Sequence, residues 1–196
     1  MSAAKLVAKL DLRGDIAAEK IIAKLAKLGK AAVPALLEAA KNAELASHAR
    51  QWSLLALGTI GDRRAIPVLF EALEHPNMPM RLQALKGLRR MKLRKASAKI
   101  VKLLDDKSGG IRVNALYALA ELGDRKAGKA VIKALDDPQW YVRQNACVAC
   151  GKLKLLEARR KLLLLQKKDE KKAVRLAAGT ALEALDPQNR KLRRPV

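Results

Sequence analysis

Aromatic side chains are scarce in this chain of 196 residues, with one Phe, two Tyr and two Trp. Recognition by stacking bases on rings therefore has little to work with. Cysteine is scarcer still: Cys147 and Cys150 are the two present, three residues apart in one predicted helix. No disulfide framework can hold the fold, and a reducing compartment is the expected setting. No stretch approaches the roughly 20 apolar residues of a membrane span. The first fifteen residues hold too short an apolar run for a signal sequence, and Asp11 and Asp15 argue against a transit peptide. The expectation is a soluble protein, intracellular and cytoplasmic.

Histidine is also nearly missing, and this bears on chemistry. His48 and His75 sit at predicted turns without a Ser, Cys or carboxylate at a suggestive offset, and both read as surface residues. The Cys147-Val148-Ala149-Cys150 motif falls in mid-helix, whereas a redox pair is activated at a helix N-terminus, and zinc wants four ligands. These cysteines read as small buried hydrophobes, with any redox role left open. No catalytic residue, metal site or cofactor is expected. Arg13-Gly14-Asp15 reads as a turn.

Repetition and positive charge are what the chain has in abundance. Shifting the sequence by 31 places aligns Arg50, Arg81, Arg112 and Arg143, and a shift of 32 adds Arg175. The same register aligns Ala65, Ala96, Ala127 and Ala158. Within each unit apolar residues recur at helical spacing, as in Ile111, Ala115, Ala118, Leu119 and Leu122. Small residues at Gly87, Ala118 and Ala149 let a neighbouring helix come close. A second apolar run follows a short break, as in Ala65, Ile66, Val68, Leu69 and Leu73, so each unit reads as two antiparallel helices. Gly61-Asp62 and Gly123-Asp124 supply a left-handed stop and an N-cap at that break. Turn residues mark unit boundaries near 76, 107 and 138.

The resulting expectation is an all-α fold, a right-handed α-solenoid of about five to six two-helix repeats forming a single domain over 1–185. Repeats fall at 15–45, 46–76, 77–107, 108–138 and 139–170, followed by a capping helix at 171–185 and a basic, loosely held tail at 186–196. Repeat one has a slightly different turn, in which Val33-Pro34 answers Ile66-Pro67.

The stretch ALGTIGDRRAIPVL after Arg50, together with RVNALYALAELGDRKAGKAVIKALDDPQWYVR, resembles the short HEAT-like repeats of the phycobilisome-lyase type. The likeness covers about 46–185 closely and 15–45 more weakly. It implies a solenoid binding surface, of which only some family members make an enzyme. It also implies a structural ladder of Asp and Arg, with Arg50, Arg81, Arg112, Arg143 and Arg175 on one side and Asp62 and Asp124 at the turns. Each aligned arginine stands in the first turn of its helix, against the helix dipole. The acids just upstream, Asp105-Asp106 and Asp136-Asp137, are the expected compensation.

Lys and Arg number 41 against 19 Asp and Glu, a formal charge of +22. Residues 1–75 hold 11 basic and 8 acidic side chains, whereas 76–196 hold 30 and 11. In a solenoid the turns inside the repeats share one edge, and these carry Arg63-Arg64, Lys92-Leu93-Arg94-Lys95, Arg125-Lys126 and Lys152-Leu153-Lys154. At Lys92-Leu93 and Lys154-Leu155 the Gly-Asp of the other turns is replaced, with loss of a cap and gain of a base. Function or drift to another turn geometry could each account for this. Repeats stacked about 10 Å apart would meet a phosphate at about every third nucleotide.

The expected function is a non-enzymatic scaffold that binds nucleic acid or a ribonucleoprotein through phosphates. Its anion-binding residues would be Lys86, Arg89, Arg90, Lys92, Arg94, Lys95, Arg125, Lys126, Lys129, Lys152, Lys154 and Arg160. The alternatives are a scaffold for an acidic protein, and an enzyme of the bilin-lyase or DNA-glycosylase kind.

Overall fold

A computed structural model describes residues 2–11 and 15–186. The Arg13-Gly14 part of the predicted turn and the tail from 187 onward lie outside the described residues. Twelve α-helices, joined by short 3-10 turns, account for the secondary structure of the described residues, with no strand among them. The chain is an all-α repeat solenoid. Its contacts divide it into two compact units, Met1–Lys99 and Ile100–Val196.

The first unit holds α1 (Ala3–Val7), α2 (Asp15–Leu28), α3 (Val33–Lys41), α4 (Ser47–Ile60), α5 (Ile66–Ala72) and α6 (Met78–Arg90). Helix α7 (Ser97–Lys102) crosses into the second, which holds α8 (Gly109–Leu122), α9 (Gly128–Lys133), α10 (Trp140–Leu153), α11 (Arg159–Lys168) and α12 (Lys172–Leu185). In the first unit α4 packs between α2 and α6, with α3 and α5 against the same layer. In the second, α10 packs between α8 and α12, and α11 against α12. Each unit is thus a row of long first helices backed by shorter second ones.

Apolar periodicity explains why these segments coil and which faces they bury. Leu54 and Leu57 of α4, Leu69 of α5 and Leu85 and Leu88 of α6 are buried in the first unit. Ile111, Leu116, Leu119, Val142, Leu162 and Val174 do the same work in the second. Fully burying one such aliphatic side chain contributes about 2 kcal/mol. Helix α1 was not foreseen, although Leu6, Val7 and Leu10, all buried, carry its signal in the sequence.

Two small residues set the closest helix approach. A Cβ built on Gly58 of α4 would lie 2.1 Å from the Cα of Gly87 of α6, so the two backbones touch. In the second unit Gly151 of α10 faces Ala181 of α12, with an ideal Cβ 3.2 Å from its Cα.

Pro34, Pro67 and Pro79 each stand at the first or second position of a helix, where the missing N–H has no intrahelical acceptor to lose. Among the described residues, no helix is long and apolar enough to cross a membrane.

Candidate functional site

The turn between the two helices of a repeat carries a left-handed residue in five copies. Gly29, Gly61, Lys92, Gly123 and Lys154 all have positive φ, at 57, 76, 51, 65 and 54°. The turn in repeat one is one residue shorter, with Gly29 four residues before Val33 where Gly61 stands five before Ile66, and at Lys92 and Lys154 lysine holds the left-handed position that glycine holds at Gly61 and Gly123. A left-handed residue with a Cβ costs about 1 kcal/mol that glycine avoids.

The cap after it also differs. Asp62 Oδ1 accepts the Arg64 N–H at 2.9 Å and Asp124 accepts the Lys126 N–H at 3.1 Å, while Leu93 and Leu155 offer no side-chain cap. Arg64 also hydrogen-bonds Asp62 through its side chain, and this, with the backbone bond, holds the Asp62 carboxyl down to about 2. Leu155 gives packing in return for the cap: it is buried, and its methyl lies 3.0 Å from where a Gly128 Cβ would stand. Gly128 is the socket for it.

Contacts within each unit show which turns are neighbours. Arg64 Nη2 donates to the Lys30 carbonyl at 3.2 Å, joining the turns before α3 and α5. Arg125 Nη2 donates to the Lys154 carbonyl at 3.3 Å, joining the turns before α9 and α11, and Lys154 Nζ reaches the Ala184 carbonyl near the end of α12. The basic turns of the second unit therefore lie side by side.

Of the predicted anion-binding residues in the first unit, Lys86 and Arg89 are half-buried on α6, and Arg90 donates to Thr59 Oγ1 at 2.6 Å. Lys92, Arg94 and Lys95 are exposed in the following turn. In the second unit Arg125, Lys126, Lys129, Lys152, Lys154 and Arg160 are all exposed, and Lys152 Nζ stands 5.0 Å from the centre of the Tyr117 ring. The edge is not free of acids. Glu157 is exposed in the turn that begins at Lys154, and Asp186 pairs with Arg159 at 3.7 Å.

The opposite turns, between repeats, hold the ladder, and its connectivity corrects the expectation. Arg112 does not take its carboxylate from upstream: Nε and Nη2 fork onto Asp137 of the next turn at 2.7 and 2.9 Å, and Nη1 binds the upstream carbonyl of Asp106 at 2.8 Å. Arg143 forks likewise onto Asp169 at 2.8 and 3.1 Å, with the Asp137 carbonyl at 2.9 Å. The long guanidinium spans its own repeat, from the first turn of the first helix to the turn that closes the repeat, and the acid it meets also caps the N–H two residues on. Asp106, Asp137 and Asp169 accept such bonds from Ser108, Gln139 and Lys171.

Hydrogen bonds to Asp137 and Asp169 raise both guanidinium pKa values. Burial pushes the Asp169 carboxyl up, but Arg143, the Lys171 N–H and the charge of Arg175 together hold it below the ordinary value. Arg81 and Arg175 bind the upstream carbonyls in the same way, Arg81 to His75 and Pro76 and Arg175 to Asp169 and Glu170. Among the other acids of this edge, Asp105 and Asp136 pair with Lys133 and Lys161.

His75 is not the plain surface residue expected from the sequence. It is half-buried and its Nδ1 accepts the Asn77 N–H at 3.0 Å, so it fills the capping role of the ladder aspartates. His48 is exposed. Cys147 and Cys150 are fully buried in α10, and burial pushes both thiols up to about 12.

HEAT repeats match over residues 4–89, 33–111 and 97–183, which together span nearly the whole chain. The chain belongs to the HEAT-repeat family. Among solved structures it is similar to the complex of CpcE and CpcF of phycocyanin lyase from Nostoc sp. PCC7120, at 24% identity over 90% of this chain and 74% of that one, with a TM-score of 0.60. A designed armadillo repeat protein in complex with the peptide (KR)4 is similar at 17% identity, over 95% and 100% of the two chains, with a TM-score of 0.65. Human deoxyhypusine hydroxylase is similar at 18% identity, over 95% and 85%, with a TM-score of 0.54. At these identities the likeness speaks for the fold. No curated protein sequence matches the chain. What the family supplies is a repeat scaffold suited to binding.

Proposed function

We propose that this HEAT-repeat scaffold binds nucleic acid, through phosphate contacts made by the cations of its intra-repeat turns and neighbouring second helices. One observation carries the reading. Lys92 and Lys154 hold positive charge at left-handed positions where glycine would sit without strain. Charge maintained at a conformational cost, once in each unit, suits a ligand that is itself a polyanion. Exposed Arg125, Lys126 and Lys129 add to Lys154 within the second unit, where the Arg125 turn lies beside its own. Few rings are available for stacking, so binding rests on counterion release and is indifferent to sequence.

Binding of labelled duplex DNA, single-stranded DNA and RNA, followed by fluorescence anisotropy across a salt series, tests this. Affinity for all three should fall steeply between 50 and 200 mM salt, by about 10²-fold or more if several phosphates are contacted. Arg125→Glu with Lys126→Glu should weaken unrelated sequences equally. Affinity that ignores salt, or charge-reversed variants that bind as the parent does, would overturn the reading in favour of a protein ligand.

A further inference from the structure

The ladder has one broken rung. Counting 25 residues on from Arg112 gives its partner Asp137, and 26 on from Arg143 gives Asp169. The same step of 25 from Arg50 gives His75. The upstream half of the rung is also altered: Asn42, which caps the Glu44 N–H at 2.9 Å as the ladder aspartates cap theirs, lies eight residues before Arg50 rather than six. The longer turn takes the upstream carbonyls away from the guanidinium.

Arg50 is accordingly left without an acceptor. Its Nε is buried with no hydrogen-bond partner, and its side chain forms no ion pair among the described residues. It lines an open pocket of about 260 Å³ together with Lys41, Glu71, His75, Leu54 and Met80. His75 deepens the imbalance. Because Nδ1 accepts the Asn77 N–H, the imidazole keeps its proton on Nε2 and has no second lone pair to offer. Where Asp137 turns a carboxylate oxygen toward its arginine, this rung offers only donors.

We propose that this pocket is a carboxylate-binding site, which takes an aspartate or glutamate side chain of a bound protein in the place that Asp137 fills against Arg112. The same forked geometry in the second unit shows that a planar pair of oxygens fits an arginine at this ladder position. Glu71 on the pocket wall opposes a dianion more than a singly charged carboxylate, which favours a carboxylate over a phosphate. The site is independent of the nucleic-acid reading, and neither stands or falls with the other.

The test uses the full chain labelled with ¹⁵N. The Arg50 Nε–H signal, identified by its loss in Arg50→Gln, is followed during titration with the capped peptide acetyl-Gly-Asp-Gly-amide, with succinate and with inorganic phosphate at constant ionic strength. The expected result is a saturating shift with the peptide, and a response at least 10-fold weaker in His75→Asp, which supplies the missing carboxylate from within. His75→Asp should also melt higher than the parent, because the rung is then closed. Lys41→Glu, at an exposed helix end that does not threaten folding, should weaken the peptide response 3-fold or more. No shift with the peptide, or an undiminished one in both His75→Asp and Lys41→Glu, overturns the site. A response to phosphate alone overturns the carboxylate, and succinate binding 10-fold tighter than the peptide overturns a protein source.

Discussion

At the scale of single residues, the fold depends on a few places where a side chain is absent. The Gly58 and Gly87 backbones touch, so Gly58→Ala forces α4 and α6 apart. The substitution should cost more than about 2 kcal/mol, read as a lower midpoint in urea unfolding, and a change of less than 0.5 kcal/mol would mean that the helices part freely. The sequence marked Gly87 as a point of approach but not its partner, because partnership depends on how far α4 is rotated about its axis. Arg112 and Arg143 were read as structural arginines, yet their acids were sought upstream. The fork onto Asp137 and Asp169 reaches the far end of the same repeat, 25 or 26 residues on, and no local pattern reports it. A signal did exist: the residues 25 or 26 positions after the aligned arginines are His75, Asp106, Asp137 and Asp169. That series carries both the rule and its exception.

At the scale of the element, the intra-repeat turn keeps its left-handed residue whether glycine or lysine occupies it. Lys92→Gly should raise stability by about 1 kcal/mol, whereas Lys92→Ala, which removes the charge and keeps the Cβ, should not. Melting temperatures of the two variants separate conformation from charge, and equal values would show that the turn stores no strain. The helix pairs were legible because apolar spacing and Gly-Asp punctuation repeat. The exchange of a cap for a buried leucine was not, since it joins Leu155 to Gly128 of the preceding repeat. The basic turns were legible as well. Their acidic company is Glu157, three residues beyond Lys154, and Asp186, which reaches Arg159 only in the fold.

At the scale of the whole molecule, a formal +22 sets charge against compactness, and the paired carboxylates offset it while they stay ionised. Asp169 is held below its ordinary value in the folded chain. Its contribution is complete above the unfolded carboxylate range, near 4, and is lost as pH falls below it. Acid should therefore unfold the protein, and Asp169→Asn should lower the melting temperature at pH 7 while flattening its decline between pH 5 and 2. Circular dichroism over that range checks both, and parallel curves would mean that the Arg143 pair is uncoupled from folding. Repeat arrays hold together through nearest-neighbour terms, and the bonds of Arg112 and Arg143 to the Asp106 and Asp137 carbonyls of the preceding repeat belong to such terms. Between α3 and α4, where Arg50 grips no upstream carbonyl, that term is left to apolar contact and to the Arg64 bond to the Lys30 carbonyl. The first three helices, tied to the next repeat by fewer polar bonds, should be the end of the zipper that opens soonest.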